Sequence, residues 1–180
     1  MSPRAQSPFT FEYVLLGLLE QQPSHGYDLH KAITQMEGVS LVWSVKQARL
    51  YALLDKLESL GWVSAEIISG NTRPDRKEYR LTEEGRRQFH LWLGSPVRRG
   101  RQIRQEFIAR LYFARRQGER AVRNLIQAQR EECRRWLLDV RLQREVSPGG
   151  PMDEVVYDFR QAQAESILAW LDTCERRLLA

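Results

Sequence analysis

The apolar positions of this chain recur mostly at helical spacing, and the pattern is broken once, near residues 63–81, by residues of strand character. The most informative stretch is Ser44–Val63. Leu50, Leu53, Leu54, Leu57 and Leu60 recur there every three or four residues, which predicts one buried helical stripe. Lys46, Gln47 and Arg49 precede the stripe and crowd the first turn, where a recognition helix presents side chains to base edges in the major groove. Gly61 is the expected C-cap.

Two shorter helices precede this one. Phe11 to Glu20, with Thr10 as N-cap and Val14, Leu15, Leu18 and Leu19 inside, is apolar almost all round, as suits the centre of a core. Gln21, Gln22 and Pro23 end it, and Ser24 is expected to cap a second helix that runs to Met36 and exits at Gly38. Beyond Gly61, Val63, Ala65, Ile67 and Ile68 predict a half-buried strand. A polar turn of Gly70, Asn71, Arg73, Pro74 and Asp75 then leads to a returning strand, Lys77 to Leu81. Three helices followed by a hairpin with a basic tip describe a winged helix-turn-helix, in which the helix from Ser24 crosses the DNA backbone and the next enters the groove. Thr82, followed by Glu83 and Glu84, caps a fourth helix bearing Phe89 and Trp92.

Gly94, Ser95, Pro96 and Gly100 interrupt the pattern and mark a domain boundary. The expected organisation is a flexible arm (residues 1–9), a winged helix-turn-helix domain (10–94) and a helical domain (101–180). The last reads as helices of about Arg101–Arg116, Glu119–Arg144 and Asp153 onward, the final two separated by Ser147-Pro-Gly-Gly-Pro151. Two long amphipathic helices joined by a short loop leave apolar surface that a second subunit would cover, so the fold is expected to be mainly α with a C-terminal dimerisation domain.

Composition refines the picture. With 42% hydrophobic residues in 180, the chain can bury a core, and its net charge of +5 mildly favours a polyanionic partner. Through Val97, however, eleven basic residues face eleven acidic ones, so the excess lies entirely in the C-terminal half. Any DNA-binding face in the N-terminal half must therefore arise from local placement. No apolar run approaches the roughly 20 residues of a membrane span and no leader opens the chain, which leads us to expect a cytoplasmic protein without membrane contact. Cys133 and Cys174 form no Cys-x-x-Cys, and His25, His30 and His90 form no metal-binding pair. There is no phosphate loop and no nucleophile elbow, so neither a cofactor, a metal nor an enzymatic activity is expected.

Several short motifs resemble the PadR-type transcriptional regulators. They are Tyr13-Val-Leu-Leu-Gly-Leu-Leu19, Gly26-Tyr-Asp-Leu29, Trp43, Leu50-Tyr51-x-x-Leu54-x-x-Leu57-x-x-x-Gly61, and Arg76-Lys-Glu-Tyr-Arg-Leu-Thr-Glu-Glu-Gly85. Together they span roughly residues 10–90. The resemblance implies a homodimeric repressor, less often an activator, that binds a two-fold symmetric operator on double-stranded DNA and releases it on binding a small effector. The chain length resembles the subgroup with a multi-helix C-terminal domain. Family members often carry a small polar residue near the start of the recognition helix, where this chain has Lys46 and Ala48, so contacts there are not carried over.

The candidate DNA-binding residues are Lys46, Gln47, Arg49, Tyr51, Tyr27, His25, Lys56, Arg73, Arg76 and Lys77. Gln47 and Arg49 suit adenine and guanine edges, or else phosphates. Tyr27 and Tyr51 either donate to phosphate or pack on the core, while Lys56 and His25 either meet DNA or stay solvated. Tyr112, Phe113, Trp136, Phe159 and Trp170 are candidates to line a pocket for a small aromatic or cationic effector, with core or dimer packing as the alternative. The rival reading of the whole chain is a winged-helix protein-interaction adaptor without sequence-specific DNA binding, and the neutral N-terminal half is its support.

Overall fold

A computed structural model of the chain describes residues 10–42, 44–70 and 73–179; the side chains of Thr10, of residues 69–70 and of residues 73–75 lie outside that description. The expectations for the N-terminal arm, for Trp43, for the turn residue Asn71 and for Thr10 as a cap therefore fall outside the described residues. The chain divides into two compact units between Trp92 and Leu93. Each is described by itself.

The first unit is a winged helix. Helices α1 (Thr10–Leu19), α2 (Gly26–Thr34) and α3 (Gln47–Ser59) precede strands β2 (Val63–Gly70) and β3 (Arg73–Leu81), and α4 (Glu83–Leu93) follows. A two-residue strand β1 (Ser24–His25) adds to the hairpin, giving an antiparallel sheet of order β1-β3-β2. Val14, Leu15 and Leu16 of α1, Leu29 and Ile33 of α2 and Leu50, Leu54 and Leu57 of α3 are almost completely buried. At about 1.5–3 kcal/mol for each large apolar side chain withdrawn from water, these three stripes are what hold the helices together.

Four local expectations need correction. Ser24 does not cap α2, because its backbone pairs with Tyr79 of β3 and its hydroxyl donates to the Gln22 carbonyl at 3.3 Å. The N-cap is His25, which makes no side-chain cap bond, and the helix stops at Thr34 rather than Met36. Leu60 leaves the buried stripe: it is the C-cap of α3 and 43% exposed. The hairpin is longer than expected, since Gly70 belongs to β2 and Arg73 to Asp75 belong to β3 rather than to the turn, and Ile67 and Ile68 stand exposed where a half-buried strand was anticipated.

The turn after α3 locks the wing and α4 together. Gly61 adopts φ +69, the left-handed conformation that glycine tolerates, and donates to the Glu58 carbonyl at 2.9 Å, while Trp62 donates to the Leu57 carbonyl at 3.0 Å. This is a Schellman motif. Thr82 then caps α4, accepting from the Gly85 amide at 3.0 Å and donating its own hydroxyl to the Gly61 carbonyl at 2.8 Å. Stacked rings reinforce the closure, with Tyr13 5.9 Å from Trp62 and 5.0 Å from Trp92.

The second unit is helical. A 3-10 turn (Gly100–Gln102) and a π turn (Ile103–Phe107) lead into α5 (Ile108–Gln117), followed by two 28-residue helices, α6 (Glu119–Val146) and α7 (Pro151–Leu178), each about 42 Å long at 1.5 Å per residue. Arg130 of α6 reaches Asp172 and Glu175 of α7, both at 2.6 Å. Gln129 is wholly buried and brackets one peptide unit, accepting from the Val97 amide at 2.8 Å and donating to its carbonyl at 3.1 Å. Arg110, buried beside Glu106, donates to the Ser95 carbonyl. Cys133 and Cys174 are buried free thiols, and burial raises the pKa of both, that of Cys174 to about 11. Among the described residues, no helix is long and apolar enough to cross a membrane.

Gly85 tests the turn that joins wing and α4. A Cβ there would sit 2.0 Å from the Trp62 carbonyl oxygen, a backbone atom that cannot rotate away. Gly85→Ala should cost about 1–3 kcal/mol, the usual range for overpacking, in a urea unfolding titration. An unchanged midpoint would mean that the turn is not rigid.

Candidate nucleic-acid interface

The two turns that open α2 and α3 converge on β3. Between them lies a cleft of about 540 Å³ lined by His25, Gly26, Tyr27, Asp28, Gln47, Tyr51, Arg76 and Lys77. Its shape follows from the backbone. The register Ser24↔Tyr79 and His25↔Glu78 draws the start of α2 against β3, and the His25 ring contacts the Lys77 carbonyl, Nδ1 to oxygen 3.2 Å. Gly26 lets the Tyr51 ring lie directly against the helix start, since a Cβ at that position would be 2.5 Å from Tyr51 Cε1. The ring therefore forms the cleft wall.

Two electrostatic features favour an anion here. Neither α2 nor α3 has a side-chain cap at its N-terminus, so their first backbone N–H groups remain available at the positive ends of the helix dipoles. Hydroxyl and cationic donors surround them: the exposed Tyr27 and Tyr51 with Arg76 and Lys77. Asp28 is the one carboxylate of the lining. Lys77 is not a free cation, because its ammonium donates to Glu58 of α3 at 2.6 Å, with Asp55 4.0 Å away. The Glu58 hydrogen bond raises its pKa above the ordinary lysine value against the opposing effect of burial. The same pair braces the wing on α3. Burial raises the Tyr79 phenol, which lies beneath that ammonium, 5.4 Å from Nζ to the ring centroid.

Six of the ten residues expected from sequence, His25, Tyr27, Gln47, Tyr51, Arg76 and Lys77, line this cleft. Lys46 is the exposed N-cap residue of α3 and borders them. Arg49 is exposed on the other flank, its guanidinium 4.9 Å over the Phe11 ring of α1. Lys56 lies outside the cleft lining and donates to the buried Glu12 of α1 at 2.9 Å, its side chain still 45% exposed. Arg73 opens β3, and its side chain lies outside the described residues. Gly26, Asp28, Glu12 and Glu58 are the contributors that sequence reasoning missed. The partners of both glutamates are remote in sequence, so periodicity carries no trace of them.

The five aromatic residues proposed to form an effector pocket do not come together. Tyr112 and Phe113 are edge to face at 5.2 Å on α5, and Trp170 meets Phe107 edge-on at 5.9 Å. Phe159 is 62% exposed. Trp136 alone lines a second cleft, of about 240 Å³, whose other walls are chiefly arginine. Helical spacing put these residues on inward-leaning faces but could not say that the faces belong to different packings.

Comparison with known proteins divides along the same units. Residues 15–91 match the transcriptional regulator PadR-like family, and residues 103–178 match the virulence activator alpha C-terminal family. A protein of Bacillus subtilis (strain 168) named negative transcriptional regulator PadR is 29% identical over 102 residues, 57% of this chain and 55% of that protein. The probable transcriptional regulator Rv1176c of Mycobacterium tuberculosis is 29% identical over 85 residues, 47% of this chain and 44% of that protein. The chain thus spans about half the length of the curated relatives it matches. Among solved structures, that of Bacillus subtilis PadR in complex with operator DNA aligns over 96% of this chain and 99% of its own, with 20% identity and a TM-score of 0.49.

The brace between wing and α3 has a direct spectroscopic test. Because Glu58 is the chief cause of the raised Lys77 pKa, Glu58→Gln should bring it down toward the ordinary lysine value, read by NMR titration of the Lys77 side chain. The pair is largely exposed, so stability should change by only about 0–1 kcal/mol. A Lys77 titration unmoved by the substitution would sink the brace.

Proposed function

We propose that this chain, whose residues 15–91 match the transcriptional regulator PadR-like family, is a DNA-binding repressor and not an enzyme, acting as a homodimer on a two-fold symmetric operator in the cytoplasm, with release by a small effector. The observation that carries DNA binding is the cleft itself: two uncapped helix starts, two tyrosine hydroxyls and the Arg76 guanidinium converge beside the exposed first turn of α3. Backbone amides and hydroxyls at helix N-termini are suited to phosphate, and they fix the register in which a neighbouring helix meets base edges. The direction of regulation rests on the Bacillus subtilis relative, which is named a negative regulator.

Gln47 and Arg49 are the proposed base readers. The Arg49 stack on Phe11 does not hold it back: an exposed cation–π contact is worth about 0.5–1 kcal/mol, against about 1–3 for a bidentate contact with guanine. Arg76 and the tyrosines Tyr27 and Tyr51 serve the phosphates. Lys77, committed to Glu58, sets the pitch of the wing. Dimerisation is supported by the exposed apolar strip at the end of the α6–α7 hairpin, where Leu138, Leu142 and Val146 on one helix and Met152, Val155 and Phe159 on the other stand in solvent. A two-fold pair would present its α3 helices to half-sites about 34–36 Å apart.

Electrophoretic shifts with the DNA upstream of the protein's own gene, run across a salt series, test this. Binding should prefer that DNA over random duplex and weaken as salt rises. Arg49→Ala and Gln47→Ala should each erode sequence preference by about 1–3 kcal/mol, whereas Arg76→Ala should weaken all duplexes alike and reduce the salt slope by about one. No preference over random duplex would overturn the regulator and leave the winged-helix adaptor in its place.

A further inference from the structure

The cleft in the second unit is chemically unlike the pocket expected there. Arg98 and Arg99 come from the segment before α5, Arg160 and Gln163 from α7, and Trp136 with Val140 from α6. Gly100 provides the floor, since a Cβ on it would lie 2.3 Å from Gln163 Oε1. Three guanidiniums thus line about 240 Å³, and among the described residues no carboxylate lies within ion-pair distance of any of them. Elsewhere in this unit arginines are neutralised, as Arg130 is by Asp172 and Glu175 and Arg144 by Glu154 and Asp158. Arg160 is instead positioned by a neutral group, donating to Gln143 Oε1 at 2.6 Å.

The geometry points to a binding site for a small organic dianion, of the phosphate monoester class, with its phosphate among the three arginines and its organic part against Trp136 and Val140. Guanidinium forks match phosphate oxygens in bidentate geometry and keep their charge at every physiological pH. Three such groups without a counter-charge call for more than a single negative charge. The volume is that of about eight waters at roughly 30 Å³ each, enough for one ring or a short chain carrying a phosphate. The Trp136 indole is held in place by its N–H, which donates to Glu132 Oε1 at 3.0 Å. Glu132 is itself paired with Arg135, so it offers the cleft no opposing charge. The cleft lies wholly within the second unit, and binding there is measurable without DNA; the assignment is independent of the function proposed above.

Calorimetric titration of the full chain with phenyl phosphate, followed in parallel by tryptophan fluorescence, tests the site. We expect saturable binding of one ligand per chain, and a fluorescence change that Trp136→Phe abolishes. Arg160→Gln, and separately the double variant Arg98→Gln/Arg99→Gln, should each weaken binding about tenfold or more, while Arg123→Gln on a remote face should not. Circular dichroism of each variant separates loss of binding from loss of fold. The absence of saturable binding, or affinities indifferent to both arginine variants, would overturn the site. Equal affinity for benzoate would overturn the dianion. A duplex titration weakened as strongly as the phenyl phosphate titration by the double variant would assign Arg98 and Arg99 to the DNA backbone instead, and would equally overturn it.

Discussion

The first unit depends on one constraint: α3 must bury Leu50, Leu54 and Leu57 completely while its opening turn stays bare. Burial of that stripe against α1 and α2 contributes several kcal/mol, enough to hold the helix without help from a cap. An N-terminal cap is worth about 1 kcal/mol, and α2 and α3 both forgo it. The first-turn amides are left as donors with no side-chain acceptor. A helix stabilised mostly through its middle and its Schellman terminus can leave its start available for an external anion.

Charge follows the same economy of placement. Through Val97 the chain is formally neutral, yet the acidic residues are not spread evenly. Glu12 takes up Lys56, Glu58 takes up Lys77, and Glu20 takes up Arg86 and His90, each pairing one element to another. What remains toward the cleft are Arg76 and the helix ends, opposed by Asp28. The neutrality that supports an adaptor is therefore a sum over internal ties, a local positive face and acidic residues placed elsewhere, and only the positive face can steer a polyanion.

The order of elements, the leucine stripe, Gly61 as a terminator, Thr82 as a cap and most of the cleft residues were legible in the sequence because each leaves a local signature: a period of 3.6, a glycine at positive φ, a hydroxyl before two acids. The misread features are set by partners far along the chain. Ser24 reads as a cap until β3, more than fifty residues later, claims its backbone. Lys56 reads as either a phosphate contact or a solvated lysine, and its ion-pair partner Glu12, 44 residues earlier, leaves no trace in the local pattern. Leu60 shares the stripe's spacing but falls where the helix has already ended.

The second unit makes the same point through buried polar groups. Gln129 sits in the polar helical stretch Gln127-Ala-Gln-Arg-Glu-Glu132 and is almost indistinguishable from its exposed neighbours in sequence, yet it is wholly buried and satisfies both backbone groups of Val97. Arg110 does the same for the Ser95 carbonyl while paired with Glu106. Losing one partner of such a set strands the other in a low-dielectric interior, at about 1–3 kcal/mol for a neutral group and more for a charge. Residues 95–97, which composition marks as a linker, are for this reason an integral part of the helical unit. Arg98, Arg99 and Gly100 follow directly on that anchored segment, so the arginines that line the basic cleft are presented from a fixed backbone rather than from a loose tether. A cleft built on such a support can discriminate by geometry, because its donors need little reorganisation when an anion enters.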